Sequence, residues 1–228
     1  HERNFHGYQK EKYSFISSVS QQKFHFSNKA PSKCWNCNYE FKSQLFCSKC
    51  KVLQQPPESL TYFDVIGVPR SYAVSIDDIR KKYKDLQKQL HPDKFGSKSE
   101  KEKEISETFS TLVNKAYSTL INPLSRGLYL LKLDGVFIPE GTTNLNPAFL
   151  MEIMEQNEEI ESAEGDRNKI LELVDRNKNT LDTLSKELDH AFNAKDIDKA
   201  KEIIIKMKYY DSIDGRLKKL KHDLGIVE

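Results

Sequence analysis

The sequence predicts a mostly α-helical protein with a small cysteine module, a helical domain and a C-terminal three-helix bundle. Three observations support this fold class. All four cysteines fall between positions 34 and 50. Beyond position 60, apolar residues recur at the three- and four-residue spacing of helices and show no strand-like alternation. Proline, glycine and helix-capping residues divide that region into segments of ordinary helix length.

Composition and charge exclude several classes of protein. The 228 residues carry 36 Lys and Arg against 34 Asp and Glu, so the formal net charge is +2. This near balance argues against a protein that coats nucleic acid through bulk charge. No apolar run approaches the roughly 18 residues that a membrane-spanning helix requires. We therefore expect neither a nucleic-acid nor a membrane partner.

The first 32 residues are predicted to be a leader or a disordered tail. They are rich in serine and poor in acids, and they lack the apolar core of a secretory signal. Such a composition occurs in remnants of mitochondrial transit peptides. Because the sequence begins at His1 without an initiator methionine, we expect a processed or truncated product.

The cysteine module is predicted over residues 33–53, where Cys34 and Cys37 form one pair and Cys47 and Cys50 another. Two intervening residues let both thiolates of a pair face one tetrahedral ion at about 2.3 Å. Two pairs complete a four-sulfur shell, and one structural zinc ion is the best match because zinc has no redox demand. Two disulfides and a rubredoxin-like iron site are the alternatives. We expect the aromatic residues of this segment to form its small core: Trp35, Tyr39, Phe41 and Phe46.

The helical domain is predicted over residues 60–133, after a short linker at 54–57 where paired prolines interrupt the chain. Its long helices are predicted over 76–90 and 100–120, and a short helix over 123–131. Ser75 is suited to cap the first of them. Pro92 ends that helix because proline cannot extend it.

A second linker, 134–146, leads to the predicted bundle at 147–228. Its three helices are predicted over 147–162, 167–193 and 196–222, separated by turn residues. Asn146 and Pro147 are suited to the cap and the first position of the first helix. The apolar positions expected to form the core of the middle helix are Val174, Leu181, Leu184, Leu188 and Phe192.

The helix predicted over 147–162 carries two apolar surfaces. Phe149, Ile153 and Ile160 cluster on one side at 100° per residue. A second surface, away from that cluster, contains Leu150, Met151 and Met154 with Glu155 and Glu158 beside them. The spacing fits either a broad core stripe or an exposed apolar patch that binds a partner. Tyr209 on the last helix falls opposite that helix's own core positions, which makes it a candidate anchor for the same partner.

Residues 60–133 resemble a J domain. The matching segments are Tyr62–Val68, Tyr83–Leu86, His91–Phe95, Asn114–Leu120 and Leu124–Leu131. An acid–base pair at His91 and Asp93 is a poor interpretation because no nucleophile motif or phosphate-binding loop accompanies it. The resemblance implies docking onto a DnaK-type chaperone and stimulation of its ATP hydrolysis. The residues it assigns to that docking are His91, Pro92, Asp93, Arg80, Lys81, Lys84 and Lys88.

A wider resemblance covers about residues 34–222. The J domain, Phe149–Glu155 and Met207–Tyr210 together look like the HscB family of iron–sulfur cluster co-chaperones, and the cysteine pairs resemble the amino-terminal addition of its animal-type mitochondrial members. The resemblance implies that the bundle binds the iron–sulfur scaffold protein and that the chain itself is not an enzyme. The positions implied to contact the scaffold are Leu150, Met151, Met154, Glu155, Glu158 and Tyr209.

Several points stay open at the level of sequence. The family implies the mitochondrial matrix, with the cytoplasm as a further location, and a mitochondrial DnaK-type chaperone as partner. A general J protein for unfolded clients and a rubredoxin-like redox protein are the competing functions. Whether the chain forms a homodimer is also open.

Overall fold

Seven helices and one very short hairpin make up the parts of the chain that the computed structural model describes, residues 32–41, 45–138 and 146–226. The mostly α-helical class is confirmed. Nearly all of the predicted leader, residues 1–31, lies outside the described residues. The elements are β1 Ser32–Lys33, β2 Glu40–Phe41, α1 Tyr62–Ile66, α2 Ile76–Leu90, α3 Glu100–Ile121, α4 Pro123–Leu133, α5 Pro147–Ser162, α6 Arg167–Asn193 and α7 Ile197–Asp223.

The helices begin where capping chemistry predicts. The side chains of Ser75 and Asn146 accept backbone N–H groups from the first turns of α2 and α5, and Pro147 occupies the first position of α5. Helix α1 was not predicted as a separate element. It has only five residues, and a reciprocal pair of hydrogen bonds between Thr61 and Asp64 closes its first turn. None of the helices within the described ranges is long and apolar enough to cross a membrane.

The J unit, α1 to α4, is built around α3, which contacts each of the other three helices. Phe63 of α1, Leu86 of α2 and Phe109 of α3 are buried in its core. At the surface, Tyr83 of α2 stacks on Tyr117 of α3 with 3.9 Å between ring centroids. These contacts hold α2 and α3 side by side, so the loop between them emerges at one end of the unit.

The bundle, α5 to α7, is a hairpin of two long helices with a shorter helix against it. Among the described elements, α6 and α7 pack against each other more extensively than any other pair. The turn between them places Lys195 in the left-handed region at φ 57°. Leu184 and Leu188 are buried as predicted, while Val174 and Phe192 are half-buried against the same core, as is Leu181.

Helix α4 fastens the J unit to the bundle through Gly127. A Cβ atom placed on Gly127 would lie 2.9 Å from Leu188 Cδ2 and 3.3 Å from Ile204 Cδ1. The missing side chain therefore lets α4 lie directly on α6 and α7. The predicted linker at 134–146 is described only to residue 138 and at residue 146, so most of it lies outside the described residues.

Tyr72 supplies a second contact between the two units, and Arg126 supports it from within the J unit. Tyr72, from the loop before α2, stacks on Phe192 of α6 at 5.5 Å, and its hydroxyl hydrogen-bonds to Ser185 at 3.0 Å. The guanidinium of Arg126 lies 4.8 Å from the centre of the Tyr72 ring and donates to the carbonyl of Leu120 at 2.7 Å. Burial lowers the pKa of Arg126. The interface is thus both apolar and hydrogen-bonded.

Two expectations about the cysteine module were wrong. Tyr39 is 46% exposed and does not form the module's core, which instead uses the buried Leu45 and Leu53. These two leucines are continuous with the core of the J unit, so the module needs few apolar residues of its own. Gln54, predicted to lie in a linker, is only 4% exposed and belongs to the module. Trp35 and Phe46 are half-buried as expected, and the side chain of Phe41 lies outside the described residues.

Replacing Gly127 with leucine tests the packing of α4 on the bundle. We expect Gly127→Leu to lower the free energy of unfolding by about 1–3 kcal/mol, because the new side chain would overpack against two buried residues. Gly215, on α7, has no heavy atom within 4 Å of a built Cβ and provides the control. Gly215→Leu should cause no loss, since leucine is a better helix former than glycine by about 0.8 kcal/mol. Urea denaturation followed by circular dichroism measures both, and equal stabilities would contradict the packing.

Candidate functional site

The four cysteine sulfurs converge on one point. Cys34 Sγ lies 3.6 Å from Cys50 Sγ, and Cys37 Sγ lies 3.7 Å from Cys47 Sγ. All four ligand atoms are within 4.8 Å of one another. The edge of a tetrahedron with sulfur about 2.3 Å from a central ion is about 3.8 Å, so the arrangement fits one four-coordinate metal ion. The thiols are free, and the disulfide alternative does not describe this structure.

Each pair of cysteines is held by the same tight turn. The N–H of Asn38 donates to the carbonyl of Cys34, and the N–H of Lys51 donates to the carbonyl of Cys47, both at 2.9 Å. Asn38 and Lys51 both adopt the left-handed conformation, at φ 55° and 61°. Two separate sequence segments thus repeat one backbone shape, and each aims its two sulfurs inward.

Hydrogen bonds and burial give the cysteine thiols different pKa values. Burial raises the pKa of Cys34, but backbone N–H groups of Cys37 and Asn36 and the sulfurs of Cys50 and Cys47 together lower it to about 6. The N–H of Tyr39 lowers the pKa of Cys37, but burial and the neighbouring sulfurs raise it to about 12. The amide of Gln54 also donates to Cys34 Sγ at 3.4 Å. A divalent cation would favour full deprotonation of the set.

The His-Pro-Asp loop, residues 91–93, follows α2 directly and begins a short 3-10 turn. Nδ1 of His91 accepts the backbone N–H of Asp93 at 3.3 Å and lies 3.4 Å from Asp93 Oδ2. His91, Pro92 and Asp93 are all exposed, whereas Phe95 is buried and anchors the end of the turn. The loop is therefore held at its base and presents three side chains to solvent.

A row of cations runs along the exposed side of α2 toward this loop. Its members are Arg80, Lys81, Lys84 and Lys88, and all four are exposed. Arg80 pairs with Asp77 at 3.5 Å and Lys88 with Asp85 at 4.0 Å, but such exposed pairs are weak and leave the cations available. Lys82 faces another way, since its ammonium donates to the carbonyl of Gly67 at the end of α1.

Helix α5 presents an exposed apolar surface, which we name the methionine patch: Leu150, Met151 and Met154. Met151 is 61% and Met154 62% exposed, and Leu150 is half-buried. The opposite side of α5 packs inward, because Phe149, Ile153 and Ile160 are all buried. The broad core stripe allowed by the spacing is therefore wrong. Glu155 and Glu158 are exposed at the edge of the patch.

Tyr209 of α7 lies beside the same helix. Its ring meets Phe149 edge-on, with 5.7 Å between centroids and 87° between planes, and it remains half-buried. The next residue, Tyr210, is buried and donates its hydroxyl to Glu152 Oε1 at 2.5 Å. Burial and this carboxylate raise the pKa of Tyr210 to about 12. The two tyrosines attach α5 to α7 while the methionine patch stays uncovered.

Two family models match the chain. A DnaJ domain model matches residues 61–129, and a model described as the HSCB C-terminal oligomerisation domain matches residues 145–218. The mouse iron–sulfur cluster co-chaperone protein HscB is 40% identical over 195 residues, covering 82% of this chain and 81% of the mouse protein. The Arabidopsis thaliana homologue is 36% identical over 196 residues, covering 86% of this chain and 77% of that protein.

The chain belongs to the HscB family.

The fold agrees with solved HscB structures. The crystal structure of human co-chaperone protein HscB matches with a TM-score of 0.77 and 39% identity, covering 83% of this chain and 98% of the human one. HscB from Vibrio cholerae matches with a TM-score of 0.65 and 26% identity, covering 72% and 99% of the two chains. The cysteine module lies before both regions matched by the family models.

The structure also reveals contacts of the cysteine module that sequence patterns did not predict. Gln54 donates to a cysteine sulfur, and Glu102 of α3 accepts the N–H of Leu53 at 3.4 Å. Lys101 places its ammonium 4.7 Å from the centre of the Trp35 ring. No spacing rule connects these residues, because the Gln54 bond crosses the module between distant positions and the other two contacts join the module to α3.

Metal analysis tests the four-thiol centre. We expect one metal ion per chain and four thiols that resist a disulfide reagent until the protein is denatured. Cys34→Ser removes a buried ligand and should lose the metal, whereas Ser48→Ala, an exposed position between the second pair of cysteines, should retain it. Elemental analysis and thiol titration measure both. Freely reactive thiols in metal-free native protein would contradict the assignment.

Proposed function

We propose that this chain is a co-chaperone of iron–sulfur cluster biogenesis that binds a DnaK-type chaperone and a cluster scaffold protein at once. The observation that carries the proposal is the exposed methionine patch on a helix whose other side is firmly packed. A chain that exposes two methionines beside a tightly packed core has a surface suited to a partner. The His-Pro-Asp loop lies on a separate unit, so two partners have two sites.

The proposed chaperone site combines the cations of α2 with the loop that follows them. Arg80, Lys81, Lys84 and Lys88 would guide an acidic chaperone surface into register, because complementary charge chiefly accelerates and orients encounter. His91, Pro92 and Asp93 would then make the short-range contacts that couple docking to ATP hydrolysis. Their exposure and their hydrogen-bonded base suit that role.

The proposed scaffold site is the methionine patch with Glu155, Glu158 and Tyr209 around it. Methionine side chains are flexible and polarisable, so they adapt to an apolar partner surface. Glu155 and Glu158 would pair with basic groups of the scaffold at the rim. Tyr209 offers an amphipathic ring whose position is fixed by its edge contact with Phe149. The iron–sulfur cluster would be cargo of the scaffold and not a cofactor of this chain.

Bivalency is the proposed mechanism. The contact of α4 with α6 and α7 ties the chaperone site to the scaffold site. A scaffold held on the bundle is thereby presented to the chaperone at a high effective concentration. In this account the chain performs no covalent chemistry and is not an enzyme.

The proposed metal is a single structural zinc ion held by Cys34, Cys37, Cys47 and Cys50. Four converging thiolates with no free coordination position suit a closed structural site. Zinc-loaded protein would be colourless, whereas iron at the same ligands would give a red protein and favour the rubredoxin-like alternative. We propose the mitochondrial matrix as the location, chiefly on the basis of the family.

Mutation of the loop histidine tests the chaperone site. We expect His91→Gln to reduce stimulation of a mitochondrial DnaK-type ATPase to the basal rate, while affinity for the scaffold is unchanged because the proposed scaffold site is on α5 of the bundle and not on the J unit. His222→Gln, at an exposed histidine near the end of α7, is the control and should stimulate normally. Steady-state ATP hydrolysis measures the effect, and undiminished stimulation by His91→Gln would refute the assignment.

A double mutation on α5 tests the scaffold site. We expect Leu150→Ala with Met154→Ala to weaken scaffold binding at least tenfold, about 1.4 kcal/mol, because central apolar anchors dominate interface energies. The helical circular dichroism should not change, since the patch is outside the core. The matched control, Phe149→Ala with Ile153→Ala, changes the buried side of the same helix and should destabilise the bundle.

The measurement of scaffold affinity also separates the proposed function from that of a general J protein. Isothermal titration with a purified iron–sulfur scaffold gives the affinity of wild type and of both double mutants. Binding of denatured polypeptides without binding of the scaffold would favour the general J protein. Loss of the helical signal in the Leu150 and Met154 double mutant would mean that these residues support the core.

A further inference from the structure

The cysteine module contacts the J unit at the first turn of α3. The backbone N–H of Leu53 donates to Glu102 Oε1 at 3.4 Å, and the carbonyl of Leu53 accepts the indole N–H of Trp35 at 2.8 Å. The ammonium of Lys101 lies over the Trp35 ring. Glu102 is only 8% exposed although it is an acid near a helix terminus. The module therefore covers this carboxyl group and supplies it with a backbone donor.

The position of Leu53 depends on the cysteine centre. The N–H of Cys47 donates to the carbonyl of Val52, and the N–H of Gln54 donates to the carbonyl of Leu45, both at 2.9 Å. These bonds enclose the second cysteine pair in one small loop, and the Gln54 side chain joins that loop to Cys34. The side chain of Leu53 packs on the core of the J unit, but the loop that carries it has few apolar residues of its own. The shape of this loop therefore depends on the metal, and metal binding is linked to the Leu53 N–H contact.

The same face of α3 holds the end of α2. Ser106 lies one helical turn beyond Glu102, and its hydroxyl donates to the carbonyl of Leu90 at 3.0 Å. Leu90 is the last residue of α2 and directly precedes His91. The α3 segment that the cysteine module covers therefore also anchors the residue before the His-Pro-Asp loop.

We propose that Glu102 is a positioning residue through which the metal-loaded cysteine module fixes the His-Pro-Asp loop. With the metal bound, Leu53 and Trp35 hold the first turn of α3. That turn, through Ser106 and Leu90, holds the loop in the position that acts on the chaperone. Loss of the metal releases Leu53, and the loop then moves more freely. The effect on the chaperone rests on the function proposed above.

This mechanism separates two properties of the chaperone site. The cations on the exposed side of α2 have no part in the Glu102 contact, so the concentration of co-chaperone that gives half-maximal stimulation should change little. The loop couples docking to hydrolysis, so the maximal stimulation should fall. Scaffold binding should not change, because the methionine patch lies on α5 in the bundle.

Amide hydrogen exchange on the protein alone tests whether the contact acts on the loop. Removing the metal with a chelator under reducing conditions should accelerate exchange in residues 91–106 at least tenfold, about 1.4 kcal/mol, as expected when a buried hydrogen bond is lost. Exchange in α6 should be unchanged. This measurement needs no chaperone, so its outcome is independent of the proposed function.

Three variants with metal bound isolate the role of Glu102. Glu102→Ala removes the acceptor and should reproduce the faster exchange and the lower maximal stimulation while elemental analysis still finds the metal. Glu102→Gln keeps an oxygen that can accept the Leu53 N–H and should behave like wild type. Glu104→Ala removes the same charge from an exposed position on the same turn and is the matched control.

The outcomes are distinct. Faster exchange in 91–106 with metal-free protein and with Glu102→Ala, but not with Glu102→Gln or Glu104→Ala, supports the proposal. Unchanged exchange after metal removal overturns it. Lower stimulation by Glu102→Ala with unchanged exchange also overturns it, since Glu102 would then act by direct contact. If wild type itself fails to stimulate the chaperone, the proposed function fails and exchange alone decides whether the module holds the loop.

Discussion

The close packing of α4 on α6 and α7 is the constraint on which the rest of the structure depends. Gly127 leaves no room for a side chain between the two units, and Tyr72 closes the same interface with an aromatic stack on Phe192 and a hydrogen bond to Ser185. Closely packed protein interiors have low compressibility, so the two units cannot move gradually relative to one another. The His-Pro-Asp loop and the methionine patch consequently belong to one body, and a partner bound at one site has a defined relation to a partner bound at the other.

Exposed apolar surface on α5 is tolerated because the helix is secured by its other residues. Phe149, Ile153 and Ile160 supply the buried contact, and Tyr210 and Arg216 reach across from α7 to Glu152 and to Asn157 and Glu161. The charged and amide partners at the edges keep α5 in place without covering its outer side. The cysteine module also depends on a neighbouring unit for its packing. Its buried residues Leu45 and Leu53 belong to the core of the J unit and do not form a separate core.

Local chemistry in the sequence was sufficient for α2 to α7 and for the convergence of four cysteines, because caps, proline breaks and ligand spacing act over a few residues. It was insufficient wherever a long-range contact decides the outcome. Helical spacing showed that α5 has two apolar sides, but not which side the bundle covers. Tyr39 was assigned to a core that the J unit provides, and Gln54 to a linker, although its amide reaches Cys34. Helix α1 is too short for periodicity, and Glu102 carries no motif.

The central claim is that one chain must hold both partners, and complementation between two defective chains tests it most directly. Scaffold-dependent stimulation of the chaperone ATPase is measured with His91→Gln protein mixed with the Leu150→Ala, Met154→Ala double mutant. The concentrations are kept below the dissociation constant of the weaker of the two partner interactions. In this mixture every site exists, but no chain has both. The account predicts that the mixture stays near the basal rate while wild type stimulates fully. Restoration of wild-type stimulation by the mixture would contradict it.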